Sequence, residues 1–305
     1  MLWAENYLFF PSPPQKILSY LLLPFSALYC AVVISKRKLS KKKDFHIAII
    51  SIGNLTVGGS GKTPFTISLA KRYENSAIIL RGYKRKSKGL LVISKKGEIL
   101  ENIERSGDEA MLYAKSLPNS YVIVCEDRIK GIEKAKEMGA KVIFLDDGFN
   151  KAKIKKLDIL LEPSKPYKNP FCLPSGPYKE PKSFKKYADI VAIEGKDFKR
   201  EVKIENPTDR MILITAISKP KRLDPYLPKN TITKIYFPDH YSFDKKELQQ
   251  LIRKYNATSI LTTEKDAVKM ENFALNLSLL KLSIKIEEPI LKKCDNFVDN
   301  FGKIP

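Results

Sequence analysis

Apolar and polar positions along this chain fall into two rhythms. Short unbroken apolar runs at 47–53, 77–80, 121–125, 141–145, 159–161, 190–193, 211–217, 231–237, 259–263 and 277–286 read as strands. Between them, 65–73, 107–116, 131–138 and the amphipathic 243–255 read as helices, and 90–94 with 98–100 as a small hairpin around Gly97. Buried apolar strands alternating with helices predict parallel α/β layers. The Pro-rich stretch 163–181 suits a binding loop better than a regular element, and the chain beyond 286 reads as polar.

The N-terminal pattern differs. Aromatics and prolines fill 1–16, and residues 17–35 then run without a charge, close to the ~20 residues needed to cross a bilayer. Lys36, Arg37, Lys38, Lys41, Lys42 and Lys43 follow at once, a cluster suited to anionic headgroups on the cytoplasmic side. Charges placed after the apolar run, with no small-residue cleavage site, exclude a signal peptide. Pro24 and the interspersed Ser19, Tyr20, Ser26 and Tyr29 leave three forms open: a helix lying in the interface, a true span, or a buried helix. Membrane contact is the expectation.

Candidate chemistry begins where the first α/β strand ends. Thr56-Val57-Gly58-Gly59-Ser60-Gly61-Lys62-Thr63 places three glycines ahead of a lysine and a hydroxyl. Such glycines turn successive N–H groups toward an anion, Lys62 adds a point charge, Thr63 offers Mg²⁺ an oxygen, and the following helix start favours negative charge. Thr56 stands where the strict phosphate-loop pattern wants glycine. Farther on, the apolar 141–145 runs into Asp146 and Asp147, where phosphate-loop enzymes hold Mg²⁺. ATP and Mg²⁺ are therefore the expected cofactors. The loop 81–88 gathers five cationic residues at a strand end, a place where ligands of open α/β sheets collect. Arg81, Tyr83, Lys84 and Arg85 are its candidate clamp for a substrate phosphate. The predicted layout is an N-terminal membrane-associated helical segment, 1–44, a P-loop NTPase-like parallel-sheet domain, 45–205, and a smaller α/β domain, 206–305.

A formal net charge of +21 over 305 residues asks for an anionic partner or surface. The lysines are scattered rather than set on one aromatic-studded element, and no nucleic-acid-binding signature is present, so nucleic acid is not expected. Cys30, Cys125, Cys172 and Cys294 share no CxxC spacing, and with only His46 and His240 beside them they predict reduced thiols rather than a zinc or redox site. A membrane-associated switch ATPase of the partitioning or targeting type is the alternative. It needs a signature lysine where this chain has Val57.

The segments GNLTVGGSGKTP, RGYKRKSKG, SGDEA, EDR, LDDGF, FPDHY and TTEKDAVK occur in that order between Gly53 and Lys269. Together with the apolar N-terminus they resemble the tetraacyldisaccharide 4'-kinase family, the lipid A 4'-kinases of Gram-negative bacteria. The resemblance implies ATP- and Mg²⁺-dependent phosphorylation of the 4'-hydroxyl of an anionic glycolipid, tetraacyldisaccharide 1-phosphate, at the cytoplasmic face of the inner membrane. It further implies a catalytic pair in Asp108 and His240, an acidic metal pair in Asp146 and Asp147, and an active-site arginine in Arg128. Lys179 and Glu180 of the Pro-rich loop join the expected substrate contacts, and a monomer is expected. Two departures stand out: Asn150-Lys151-Ala152 replaces the family's usual Gln-His-Arg, and Lys179 replaces the arginine of Arg-Glu-Pro, losing its bidentate fork. Asp108 and His240 lie 132 positions apart, so closure of one domain over substrate is expected to bring them together.

Overall fold

The computed structural model describes residues 2–301. In chain order the helices are α1 Leu2–Phe9, α2 Pro13–Leu21, α3 Leu23–Lys38, α4 Lys62–Ala70, α5 Ile103–Ser106, α6 Asp108–Ser116, α7 Arg128–Glu137, α8 Lys245–Lys254, α9 Glu264–Ala267 and α10 Glu288–Phe301. The strands run β1 Ala48–Gly53, β2 Ser76–Leu80, β3 Leu91–Lys95, β4 Glu98–Ile99, β5 Tyr121–Val124, β6 Val142–Asp146 and β7 Leu157–Glu162. They continue with β8 Ile190–Ile193, β9 Phe198–Glu205, β10 Met211–Thr215, β11 Thr231–Tyr236, β12 Ser259–Thr263 and β13 Leu277–Ile286.

These elements form two compact units, each discontinuous in sequence. Among the described residues, one comprises the chain up to Lys62, Lys141–Lys199 and the chain from Ile286; the other comprises Thr63–Ala140 and Arg200–Lys285. Residues 45–205 thus contribute to both. In the first unit β1 pairs in parallel with β6 on one side and β7 on the other, and β7 pairs in parallel with β8. Every residue of β1 and β6 is buried. That is the outcome for a strand covered on both faces, and it explains their unbroken apolar runs.

In the second unit β2 pairs in parallel with β5, which meets the antiparallel β3–β4 hairpin. A separate five-stranded sheet runs in the order β11-β10-β12-β13-β9. Its β10 divides its side chains between two cores. Ile212 and Ile214 join Phe243, Leu248, Ile260 and Met270 on one face, while Met211 and Leu213 join Leu223, Leu261 and Leu280 on the other. β9 and the amphipathic α10 are additions to the sequence reading, and α10 belongs to the first unit.

The apolar run 17–35 is not one helix. It is divided between α2 and α3, bent by 56° at a break beside Pro24, and no single helix among the described residues is long and apolar enough to cross a membrane. One face of α3 packs Tyr29, Cys30, Val33 and Ile34 against Leu55, Phe149, Leu160 and Phe184. Its buried Ser26 lies 2.7 Å from the Ser175 hydroxyl and 3.0 Å from the Cys172 carbonyl. Cys30 and Cys172, distant in sequence, meet as free thiols with their sulfurs 2.6 Å apart. The opposite face leaves Phe25, Leu28 and Val32 exposed.

Candidate active site

The phosphate loop leaves β1 in the first unit. The register sets Ile52 beside Asp146, so the acidic strand end and the loop start share one edge of the parallel sheet. Gly53 must be glycine here, because a Cβ would lie 2.4 Å from that of Phe149, the residue that closes the Asp-Asp-Gly-Phe turn. Asn54 shapes the turn by donating to the Thr56 carbonyl at 2.8 Å and accepting from Lys62 Nζ at 3.1 Å. Gly58 and Gly61 have φ of 87° and 83°, a conformation that side chains resist. Gly59 and Ser60 complete the turn, and Thr63 and Pro64 lie in the first turn of α4. Val57 differs from expectation: its N–H donates to the Pro177 carbonyl at 2.9 Å and is not turned to an anion.

Asp146 is buried at the end of β6. Asp147 follows at φ 50°, a strained conformation of the kind concentrated at functional sites. Its carboxylate pairs with Lys179 at 2.6 Å and lies 3.6 Å from Lys62. Burial, with help from the Asp147 and Asp158 charges, outweighs Arg37 and Lys179 and pushes the Glu180 carboxyl up to about 7. Arg37 reaches this turn from α3, donating to the Phe149 carbonyl at 3.2 Å and lying against the rings of Phe149, Phe184 and Tyr187.

The second unit brings together the other candidates. Asp108 opens α6 behind Gly107, whose φ of 81° and close approach to the Tyr83 carbonyl both favour glycine. His240 sits in the turn after β11 with φ 64°, its N–H held by the Ala216 carbonyl at the end of β10. Its Nδ1 lies 3.0 and 2.9 Å from the two Asp108 oxygens. The expectation that closure must join this pair is therefore corrected: both residues belong to one unit and already touch. Burial opposes the Asp108 carboxylate, but the His240 hydrogen bond and the charges of Lys265, His240 and Lys269 override it and hold its pKa at about 2.

The basic loop is divided in its use. Tyr83 is exposed with its ring 5.5 Å from that of His240, Lys84 donates to the Asp239 carbonyl at 3.2 Å, and Arg81 is exposed. Arg85 is not part of an outward clamp. Its buried guanidinium pairs with Glu126 at 2.6 Å and donates to the Gly89 carbonyl and the Ser87 hydroxyl, so it staples the loop shut. Arg128, buried at the start of α7, donates to the Cys125 carbonyl.

Two comparisons decide the family. The family model for tetraacyldisaccharide-1-P 4'-kinase matches residues 18–212 and 200–300. A curated tetraacyldisaccharide 4'-kinase from Aliarcobacter butzleri is 54% identical over 308 residues, covering 98% of each chain. The chain belongs to the tetraacyldisaccharide 4'-kinase family. A family member from Helicobacter acinonychis is 48% identical over 98% of this chain and 96% of its own. The fold agrees: the crystal structure of LpxK from Aquifex aeolicus in complex with ATP superposes with a TM-score of 0.77 at 33% identity, covering 92% of this chain and 99% of that one.

In this family member the structure adds residues to which the sequence reading gave no role. Lys265 and Lys269 lie 3.7 and 3.8 Å from Asp108 Oδ2. Their signal was present in TTEKDAVK, as two lysines four positions apart around Asp266, the first in α9 and the second in the turn after it. Arg37, read as one of a run of headgroup-facing cations, is instead enclosed by aromatic rings. The sequence carried no signal for that.

Proposed function

We propose that this chain transfers the γ-phosphate of ATP to the 4'-hydroxyl of tetraacyldisaccharide 1-phosphate, acting as a monomer at the cytoplasmic face of the bacterial inner membrane. The observation that carries the donor half is the Lys62–Asp147 contact beneath the phosphate loop, with Asp146 in register beside Ile52. It sets the loop cation against an acidic pair. The glycolipid acceptor comes from family membership.

Carboxylate and hydroxyl oxygens suit a hard cation, and no cluster of three His, Cys, Asp or Glu side chains among the described residues is arranged for a metal. Two carboxylates completed by nucleotide oxygens is the donor set Mg²⁺ takes. Asp146, Asp147 and the Thr63 hydroxyl would hold that ion, which when bound neutralises phosphate charge. Lys62 adds its own charge to the phosphates, and the backbone of Gly58–Gly61 wraps them. Asp108 accepts the proton of the sugar hydroxyl as the new bond forms, and His240 fixes the orientation of that carboxylate. Lys84, Arg81 and Tyr83 remain as the substrate-facing part of the basic loop. The exposed Tyr20, Leu21, Phe25, Leu28 and Val32 of α2 and α3 support a membrane-facing surface.

The test is γ-phosphate transfer to purified tetraacyldisaccharide 1-phosphate, with a soluble sugar as control acceptor. Phosphate should appear on the glycolipid and not on the sugar, and Lys62→Ala should abolish it. Equal transfer to both acceptors, or none to the glycolipid, would refute the reading.

A further inference from the structure

Around Asp108 the second unit assembles more charge than a proton-accepting pair requires. Lys265 lies 3.7 Å from Asp108 Oδ2, 3.9 Å from Glu109 Oε1 and 3.6 Å from Asp239 Oδ1. None of these is as close as a committed ion pair, so one ammonium group is shared among three carboxylates. Its side chain is only 18% exposed. Lys269 is placed differently. It pairs with the buried Asp266 at 2.8 Å and lies 3.8 Å from Asp108 Oδ2. Asp266 is itself held by the Thr215 hydroxyl at 2.7 Å, the Ala216 N–H at 2.9 Å and the Thr263 hydroxyl at 3.0 Å. The ends of β10 and β12 thereby fix α9, with Lys265, and the turn after it, with Lys269, in front of α6.

We propose that Lys265 and Lys269 are positioning residues that keep Asp108 ionised beside His240, with Lys265 the principal one. The inference rests on Asp108 being the proton acceptor. Charges a few ångströms apart in a partly buried site interact several-fold more strongly than in water, so both cations act on the carboxylate without touching substrate. Among the described residues, the charged and titratable groups around Asp108 and its partners are of three kinds. His240, Lys265 and Lys269 favour its anion, while Glu109, Asp239 and Asp266 oppose it but are shared with the same lysines. Lys84 and Tyr83 of the basic loop reach the Asp239 carbonyl and the His240 ring, respectively. Burial alone would raise the Asp108 pKa. The balance is inverted by the two lysines and the histidine, in agreement with the depressed pKa of Asp108 and the raised pKa of Lys265.

The experiment is the pH profile of kcat from pH 2 to 8, a range that reaches the wild-type limb set by an Asp108 pKa of about 2, for wild type, Lys265→Met, Lys265→Arg and Asp108→Asn, with ATP affinity and melting temperature measured on each across that range. In Lys265→Met the acid limb should move up by one unit or more, making kcat ~10-fold lower at a fixed pH on the limb and recovering on the plateau. Lys265→Arg keeps the charge and should restore the limb, and ATP affinity should be unchanged in both. A limb that coincides with wild type, or a loss of the same size at every pH, overturns the inference. Lys269→Met also breaks the pair to buried Asp266, so it should show the same shift together with a lower melting temperature; melting loss without the shift counts against it. Asp108→Asn separates the two readings. If it remains active, the proton-acceptor assignment fails; if it is inactive while Lys265→Met behaves as wild type, only the role of the lysines falls.

Discussion

Asp108 and Glu180 are carboxyl groups with opposite displacements, and each carries a signed consequence for stability. The folded-state pKa of Asp108 is lowered to about 2 from an ordinary 3.8, so its contribution is present above pH 3.8 and is lost as pH falls through 2. Glu180 is raised to about 7 from an ordinary 4.5, so its contribution is present below pH 4.5 and is lost as pH rises through 7. Asp108→Asn should flatten the melting temperature on the acid side, and Glu180→Gln should raise it most above pH 7; thermal melts across pH check both. Arg85 shows where reading residues singly reaches its limit. Its place in a cationic loop was legible, but its direction was not, because Glu126 becomes its partner only when β5 is laid beside β2. Arg85→Ala should lower stability by ~2 kcal/mol through the lost buried guanidinium contacts. Calorimetry with an ATP-binding assay checks this, since a substrate clamp would leave the melt unchanged.

Elements were legible in proportion to how one-sided their environment is. β1, β6 and β10 are buried on both faces, so apolar residues leave no ambiguity of period. β9 alternates Phe198, Val202 and Ile204 with lysine, arginine and glutamate, and that charge density hid a half-buried strand. α10 hid in the same way. Its Ile290, Cys294, Phe297 and Phe301 repeat at helical spacing inside a stretch that is polar on average. α3 carries both kinds of face, and they predict different failures. Replacing exposed Phe25, Leu28 and Val32 together by serine should leave the melting temperature nearly unchanged and weaken retention on anionic vesicles. Ser26→Leu should instead destabilise by ~1–3 kcal/mol, because it overfills a buried site and strands the Ser175 and Cys172 partners. Unchanged vesicle binding in the triple variant would show that the exposed face serves something other than lipid.

At the scale of the whole chain, the candidate machinery is divided between two units that interleave in sequence. The phosphate loop as far as Lys62 and the acidic pair Asp146–Asp147 belong to one, and Asp108 and His240, with the lysines beside them, to the other. A sequence reading in contiguous blocks cannot show this division, because the chain leaves the first unit after Lys62 and re-enters it at Lys141. The division makes the two halves of the reaction separable by mutation. On the proposed reading Lys62 holds phosphate, and Lys62→Ala should then weaken ATP binding and abolish transfer together. Asp108 and His240 contact each other within the second unit, so Asp108→Ala and His240→Ala should each lower kcat by ~10²-fold or more while ATP binding stays intact. Residues that act as one unit do not lose activity independently, because once either is gone the other has nothing left to orient or to receive. The double variant should therefore be little worse than the worse single. Steady-state kinetics beside an ATP-binding assay reads both quantities on the same proteins. Additive losses in the double variant, with ATP binding intact, would mean that the 2.9 Å contact between His240 and Asp108 is not how either residue contributes.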